Sequence, residues 1–331
     1  MNNYYKQEQI IARVDKKGNI IGKIASGIAD DLLTTTIMAA DKPALICPAM
    51  NDKMLSNSIV QDNIKKLQKH GYLVMESGVG ELACKTQGSG RLPDVADIVE
   101  EIDQMLTAKD LAGEKILITA GPTQEPLDPV RHITNLSSGK MGYALATAAV
   151  RRGAEVTLIS GPTTLSLPKV KKIIQVRTAC QMHKAVMENY KKAKIIIKAA
   201  AVADYRPAVC ERTKIKKKNA ALTVSLKRNP DIISEAARRK GNRIVVGFSM
   251  ESDNVLENAR AKLMNKGMDF IVANDVTEPG AGFRHDTNII RIIDREGAVE
   301  TFPLMDKVDV AGVILDRVKK VRDGGRIRDG L

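Results

Sequence analysis

Aromatic residues are scarce in this chain. Four Phe and six Tyr make up 3% of 331 residues, and tryptophan is absent. That argues against a stacking platform for single-stranded nucleic acid. Cysteine is thin as well. Cys47, Cys84, Cys180 and Cys210 lie far apart, no CxxC pair occurs, and none of the four histidines stands at metal-ligand spacing from a cysteine. This excludes a zinc site and a disulfide framework, and scattered thiols fit a reducing cytoplasm, which is the expected location. No apolar run approaches the roughly 20 residues that cross a bilayer, and the opening MNNYYKQEQIIARVDKKGN carries no apolar h-region. Neither a nucleic acid nor a membrane is an expected partner.

What the chain does have is length and positive charge. Its 331 residues suit two domains, 44% hydrophobic content can fill their cores, and 27% charged residues is ordinary for a soluble protein. The net charge of +13 favours anionic partners, phosphorylated small molecules among them, or reflects a generic solvated basic surface.

Residues 1–18 read as frayed. Apolar spacing at Ile24, Ile28 and Leu32 predicts a helix over 20–33, and PALICPAMN (43–51) reads as a short buried strand running into a loop. A helix over 57–70, a strand at GYLVMES (71–77) and a helix over 94–107 follow, so the first hundred residues alternate as parallel α/β sheets do. The charged stretch KDLAGEK (108–114) reads as the hinge between a domain at 1–107 and another at 115–331. In the second, strands are expected at KILIT (115–119), EVTLIS (155–160), IIQV (173–176), KIIIKAA (194–200), RIVVGF (243–248) and DFIVAND (269–275). Helices are expected over 139–152, 179–192 and 254–267, then two short strands and a helix over 307–320.

The most informative stretch is TAGPTQEPLDPVRHITNLSSGKMG (119–142), between the strand KILIT and a helix opening at Ser137-Ser138-Gly139. This reads as the first βα unit of a doubly wound fold, which binds ligands beyond the carboxyl ends of its strands. Ser137, Ser138, Gly139 and Lys140 offer hydroxyls, close backbone approach and charge at a helix start, fit for an anion or for a plain N-cap. The loop is not the GxGxxG fingerprint and is far longer than connection requires, which argues against a simple dehydrogenase. Asn135 is neutral and no strong base; it suits holding a carbonyl or an intermediate.

That loop, with AAAVADYRP (199–207), KIKK (214–217), NPDII (229–233), VGF (246–248), the pair Lys262 and Lys266, and VAND (272–275), resembles the phosphopantothenate–cysteine ligase domain of the bifunctional coenzyme A biosynthesis proteins over roughly 112–320. The resemblance implies a doubly wound Rossmann-like α/β ligase domain, preceded by a partial flavoprotein-like α/β domain. It implies CTP as substrate, Mg²⁺, an acyl-cytidylate intermediate, and phosphopantothenate and cysteine as the other partners. By the same resemblance, Lys214 contacts the triphosphate, Asn135 turns the acyl-cytidylate into product, and Arg131 grips the phosphopantothenate side. Cytosine is recognised by the backbone of Lys198, Ala199 and Ala200 and by Asp204. Pro230, Asp231, Ile232, Ile233, Phe248, Lys262 and Lys266 complete the nucleotide site. Each has a blander reading: lysine runs and Arg131 as solvated surface, Asp204 as a turn cap, Asp231 as a cap in the first turn of a helix. Lys198 departs from the pattern, in which an apolar residue is usual before Ala-Ala-Ala.

PAMNDKML (48–55) and GELACKTQGSGRL (80–92) resemble the flavin-dependent phosphopantothenoylcysteine decarboxylase that precedes the ligase. The resemblance implies that Asn51 binds the pantothenate carboxamides and that Cys84, on a flexible loop, protonates the enethiolate; a buried structural cysteine is the other reading. Leu55, Lys85 and Leu92 depart from the pattern, and the family's first strand, flavin-phosphate loop and catalytic histidine lie upstream of anything here. The expectation is therefore that residues 1–107 fold poorly alone and bind FMN weakly or not at all, leaving a ligase with a doubtful decarboxylase. The alternatives are a fully bifunctional enzyme and a nucleic-acid binder motivated by charge alone. The resemblance further implies a homo-oligomer, dimeric in the ligase domain.

Overall fold

Apolar strands alternating with amphipathic helices produce two compact units, Met1–Thr107 and Ala108–Leu331. The computed structural model describes residues 12–15, 18–82, 85, 87–216, 221–251, 254–275 and 285–324. Cys84, Lys217 and Lys218 lie outside the described residues.

The first unit runs β1 (Ala12–Asp15), α1 (Asn19–Ala25), α2 (Leu32–Ala39), β2 (Leu45–Pro48), α3 (Asp52–Leu55), α4 (Ser58–Lys69), β3 (Leu73–Val74), β4 (Gly78–Glu81), β5 (Gln87–Arg91) and α5 (Val95–Leu106). β1, β2 and β3 form a parallel sheet in that order. Its core gathers Ile21, Ile24, Ile37, Ile46, Met50 and Leu67.

Three expectations for this unit need correction. Residues 12–15 are a strand paired with β2, within the segment expected to be frayed. The single helix over 20–33 is two helices. Gly27 takes a left-handed φ of 72°, and Asp31 restarts the chain with a capping box to Thr34. Ile28 and Leu32 are consequently 46% and 86% exposed, so cap chemistry prevails over apolar spacing. No strands were expected at Gly78–Glu81 and Gln87–Arg91, which pair as the antiparallel hairpin of β4 with β5. A Cβ on Gly90 would overlap the Met50 carbonyl oxygen, and Met50 N–H donates to Gly90 O at 2.8 Å. Glycine there lets the hairpin dock on the Pro-x-Met-Asn motif.

The second unit runs β6 (Lys115–Ala120), β7 (Gln124–Pro126), β8 (His132–Thr134), α6 (Lys140–Arg151), β9 (Glu155–Ser160), β10 (Lys172–Gln175), α7 (Ala179–Asn189), a 3₁₀ turn at Tyr190–Lys192, β11 (Ile195–Lys198), β12 (Tyr205–Pro207) and β13 (Leu226–Arg228). It continues α8 (Ile232–Arg238), β14 (Ile244–Glu251), α9 (Val255–Lys266), β15 (Phe270–Asp275), β16 (Thr287–Asp294), β17 (Val299–Asp306) and α10 (Lys307–Arg322). Eight strands form one sheet in the order β10-β9-β6-β11-β14-β15-β16-β17. The first six are parallel, and their Ile- and Val-rich runs are covered on both faces, as parallel strands require. α6 and α10 pack on one face, α7, α8 and α9 on the other.

From β6 the chain winds outward to β9 and β10, then crosses back to β11 and winds the other way to β14 and β15. The switch point of this doubly wound sheet therefore lies between β6 and β11, and the crevice beyond their carboxyl ends is where such folds take ligands. The last two strands are each eight residues long rather than short, and they run antiparallel. Leu111, inside the expected hinge, is fully buried in the second unit's core.

A candidate active site at the carboxyl ends of β6 and β11

The loop after β6 is folded back on itself by the β7–β8 hairpin, which the sequence reading did not anticipate. Buried Thr123 ties it to the loop after β11: its Oγ1 accepts from Ala203 N–H at 3.0 Å, and its carbonyl accepts from Thr134 Oγ1 at 2.8 Å. Asn135 Nδ2 donates to Ala201 O at 3.2 Å, which sets the predicted catalytic amide against the Ala-Ala-Ala segment. Thr119, at the end of β6, accepts from Ala200 N–H at 3.3 Å.

Arg131 and Lys214 are brought together by a residue to which the sequence reading assigned no role. Asp128, 2% exposed, accepts from Arg131 Nε at 3.0 Å and Nη2 at 2.5 Å, and from the N–H groups of Val130, Arg131 and Ile215 at 2.8, 2.8 and 3.1 Å. Arg131 Nη2 also donates to Ile215 O at 2.8 Å. Burial opposes ionisation of Asp128, but these hydrogen bonds outweigh it and hold the carboxyl far below the usual range. The Arg131 guanidinium is thus engaged within its own chain, fastening the segment that carries exposed Lys214. The only signal for this was the Asp-Pro-x-Arg spacing inside the long loop.

The second cluster lies on the α7–α9 face. Lys198 ends β11, half-buried, and feels the charges of Lys262, Lys266, Asp231 and Asp204. Burial and the two neighbouring ammonium groups bring it down to about 8, against the opposing pull of the two carboxylates. Lys266 Nζ pairs with Asp231 at 3.0 Å, and Lys262 Nζ lies 3.4 Å from Ser249 Oγ. Asp231 is the N-cap of α8, accepting from Ser234 N–H at 3.1 Å, rather than a first-turn residue. Ile232 and Ile233 are 3% exposed and belong to the core, so only their backbone could serve a ligand. Pro230 is half-buried beside them. Asn229, unassigned in the sequence, donates to Ala203 O and accepts a 2.7 Å bond from Arg206, bracing the turn that bears exposed Asp204.

Phe248 is not on that face; it packs toward α6 and α10. Near it Asn274, 6% exposed, has an amide oxygen with no hydrogen-bond partner, a cost normally offset by a ligand donor or water. The serines do not cap α6. Gly139 does, at φ 82°, and its N–H donates to Ser137 Oγ at 3.3 Å. A Cβ there would stand 2.9 Å from Thr163 Cγ2, so glycine is required by both conformation and space. Lys140 pairs with Asp286 at 2.6 Å.

In the first unit Asn51 caps α3, accepting from Lys53 N–H at 2.9 Å. The starts of α1, α2 and α4 are capped by Gly18, Asp31 and Asn57, with no basic residue in their first turns. An open groove of about 470 Å³ runs between β10 and α7, past Arg177, Lys184 and Glu188, and contains none of the site residues. No helix among the described residues is long and apolar enough to cross a membrane.

Fold and site define a class: a Rossmann-like α/β protein with a cluster of lysines at the carboxyl end of β11, beside its switch point. The chain belongs to the DNA/pantothenate metabolism flavoprotein family. The family's C-terminal-domain model matches residues 111–321, and a model described as Flavoprotein matches 16–107. Among its relatives, the coenzyme A biosynthesis bifunctional protein CoaBC of Bacillus subtilis (strain 168) is 46% identical over 304 residues, covering 91% of this chain and 75% of that protein. A cysteine/cysteine sulfinic acid decarboxylase from an unknown prokaryotic organism is 43% identical over 308 residues, 91% of this chain and 86% of that one. The crystal structure of the C-terminal domain of a CoaBC protein superposes with a TM-score of 0.57 at 40% identity, covering 66% of this chain and all of that one.

Proposed function

We propose that this chain catalyses two consecutive steps of coenzyme A biosynthesis. The second unit joins cysteine to 4′-phosphopantothenate at the expense of CTP, and the first decarboxylates the phosphopantothenoylcysteine so formed. The observation that carries the ligase reading is the gathering of Lys198, Lys262, Lys266, Asp204 and Asp231 at the switch-point end of β11, with Asn135 bonded to the same connection. For the first unit, the Flavoprotein match and the bifunctional names of the relatives favour the two-activity alternative over a ligase with an inert partner.

In the ligation a carboxylate oxygen of phosphopantothenate attacks the α-phosphorus of CTP, the bond to the β-phosphate breaks, and pyrophosphate leaves. The amine of cysteine then attacks the acyl carbon, loses a proton, and CMP departs. Both steps bring anions together, so fixed ammonium groups and N–H donors lower the barrier by neutralising charge already in place. Lys214 serves the triphosphate. Asp204 and the backbone of Lys198, Ala199 and Ala200 take the cytosine. Pro230, Asp231, the backbone of Ile232 and Ile233, Lys262 and Lys266 hold the rest of the nucleotide, and Asn135 positions the acyl-cytidylate. Arg131 acts on phosphopantothenate through the order it imposes on its loop. Mg²⁺, when bound, neutralises phosphate charge; among the described residues no group of three or more His, Cys, Asp or Glu gathers, so no ligand is assigned. In the first unit Asn51 binds the pantothenate carboxamides and Cys84 returns a proton. FMN rests on the family match, and no step is routed through it. A homodimer is consistent with exposed Val130, Ile133, Leu136, Tyr205 and Leu226 on the two hairpins and their flanks.

The test is pyrophosphate release from CTP and phosphopantothenate, with and without cysteine. Asn135→Asp is expected to keep the first half-reaction and slow the second, and Lys214→Gln to lose the first. Equal loss of both half-reactions in the two variants would contradict the assigned roles.

A further inference from the structure

Lys198 sits level with Thr119 on β6 and Gly247 on β14. Ile196, two residues earlier on the same side of the strand, belongs to the core beneath α7–α9. Strand alternation therefore sends the Lys198 side chain out on that face, where an apolar residue would be the ordinary choice. The neighbouring Gly247 has no side chain, and its place is filled by Ile233 and Met268, which supply apolar surroundings for a lysine stem. Beyond them stand Lys262 and Lys266 on α9, Asp231 at the start of α8, and Asp204 on the turn after β11. Asp231 is already engaged by Lys266 and by Ser234 N–H. Among the described residues three ammonium groups therefore face two carboxylates, and half-burial makes the charge of Lys198 costly while no anion is bound.

We propose that Lys198 is a further binding residue of this site: its ammonium joins Lys262 and Lys266 in neutralising the bound nucleoside triphosphate, and it takes up a proton as that anion arrives. The proposal rests on the CTP-ligase reading above and adds a side-chain role where that reading uses only backbone. In the free protein the group titrates at about 8, so near that pH only about half of the molecules carry the charge. A triphosphate in contact with it favours the charged form. By linkage, nucleotide affinity then falls as pH rises past the free-state value, by about tenfold between pH 7 and pH 9. The terminal phosphate of CTP is mostly ionised by pH 7, and what remains of its titration would raise affinity slightly with pH, opposite in sign to the fall expected here.

Calorimetric titration of the whole chain with CTP at pH 8, in two buffers of different ionisation enthalpy, reads the protons taken up. The wild type is expected to bind about half a proton per CTP and to lose about tenfold in affinity from pH 7 to 9. Lys198→Met is expected to abolish most of the uptake and flatten the pH profile. Lys198→Arg, which keeps a charge that does not titrate here, should bind CTP with no uptake; it decides the matter if the Met variant fails to fold. Equal proton uptake in wild type and the Arg variant overturns the role of Lys198 while leaving the ligase reading intact. Absence of CTP binding by the wild type overturns both.

Discussion

At the amino ends of β6 and β9, Arg152 is 8% exposed and held by Asp110 through bonds of 2.8 and 2.7 Å and by Asp316 at 2.7 Å. Lys319 reaches Asp110 at 3.0 Å, and Arg322 donates to its backbone oxygen at 3.1 Å. At the carboxyl ends of the same sheet, Lys198, Lys262 and Lys266 face Asp204 and Asp231. The first network interlocks its charges and joins the chain entering the unit to its last helix. The second, among the described residues, sets three ammonium groups against two carboxylates where the fold takes ligands. Closed ion networks serve the fold; an open one at a switch point is where an anionic ligand gains most.

The most severe way to break this contrast is Asp128→Asn. Removing the carboxylate releases Arg131 and the segment bearing Lys214, and on the proposed role of that lysine at the triphosphate its misplacement costs about 100-fold in rate. Pyrophosphate release is the measurement, and unchanged turnover would mean that the anchor does not position the site. Next is Asp110→Asn. Hydrogen bonds from Arg152, against burial, and then from Lys319 bring Asp110 from 3.8 down to about 2 in the fold. A depressed carboxyl contributes stability above its unfolded value and loses it as pH falls toward the folded one. The variant should therefore be about 2 kcal/mol less stable than wild type at pH 7, with the gap closing between about pH 4 and pH 2. Urea unfolding across that range checks it, and CTP affinity should not move. The smallest effect is that of Lys266→Met. Losing one partly exposed pair should cost under about 1 kcal/mol of stability, while CTP binding weakens by about tenfold. Removing that ammonium should also move the titration of Lys198 upward. A large loss of stability with unchanged CTP binding would place Lys266 with the structural network instead.

The parallel core was legible from sequence because the segments KIIIKAA, KILIT and RIVVGF each carry an unbroken apolar run at their centre, and α4, α6, α7 and α9 fall within a few residues of their expected spans. The hairpins were not. QGSGR carries no β-branched residue, and β7, β8, β12 and β13 are three residues each, shorter than any periodicity can register. Motif matching named Asn135, Lys214, Lys262 and Lys266, but it gave no role to Thr123, Asn229 or Ser249, whose contacts are made with residues distant in the chain, nor to Asp128, which joins its own turn to the distant Ile215.

Local order along the chain determined which segments are strands and helices, that the parallel strands are buried on both faces, and which residue types stand at the loop ends. Those properties depend on near neighbours, and near neighbours are what a sequence displays. Only the tertiary structure decided that the winding reverses between β6 and β11, that Asp128 reaches the backbone of Ile215, and that Lys198 lies on the same face of the sheet as Lys262 and Lys266. Each depends on which distant segments share a face. Long-range packing settles that through burial and charge, and no local pattern carries it.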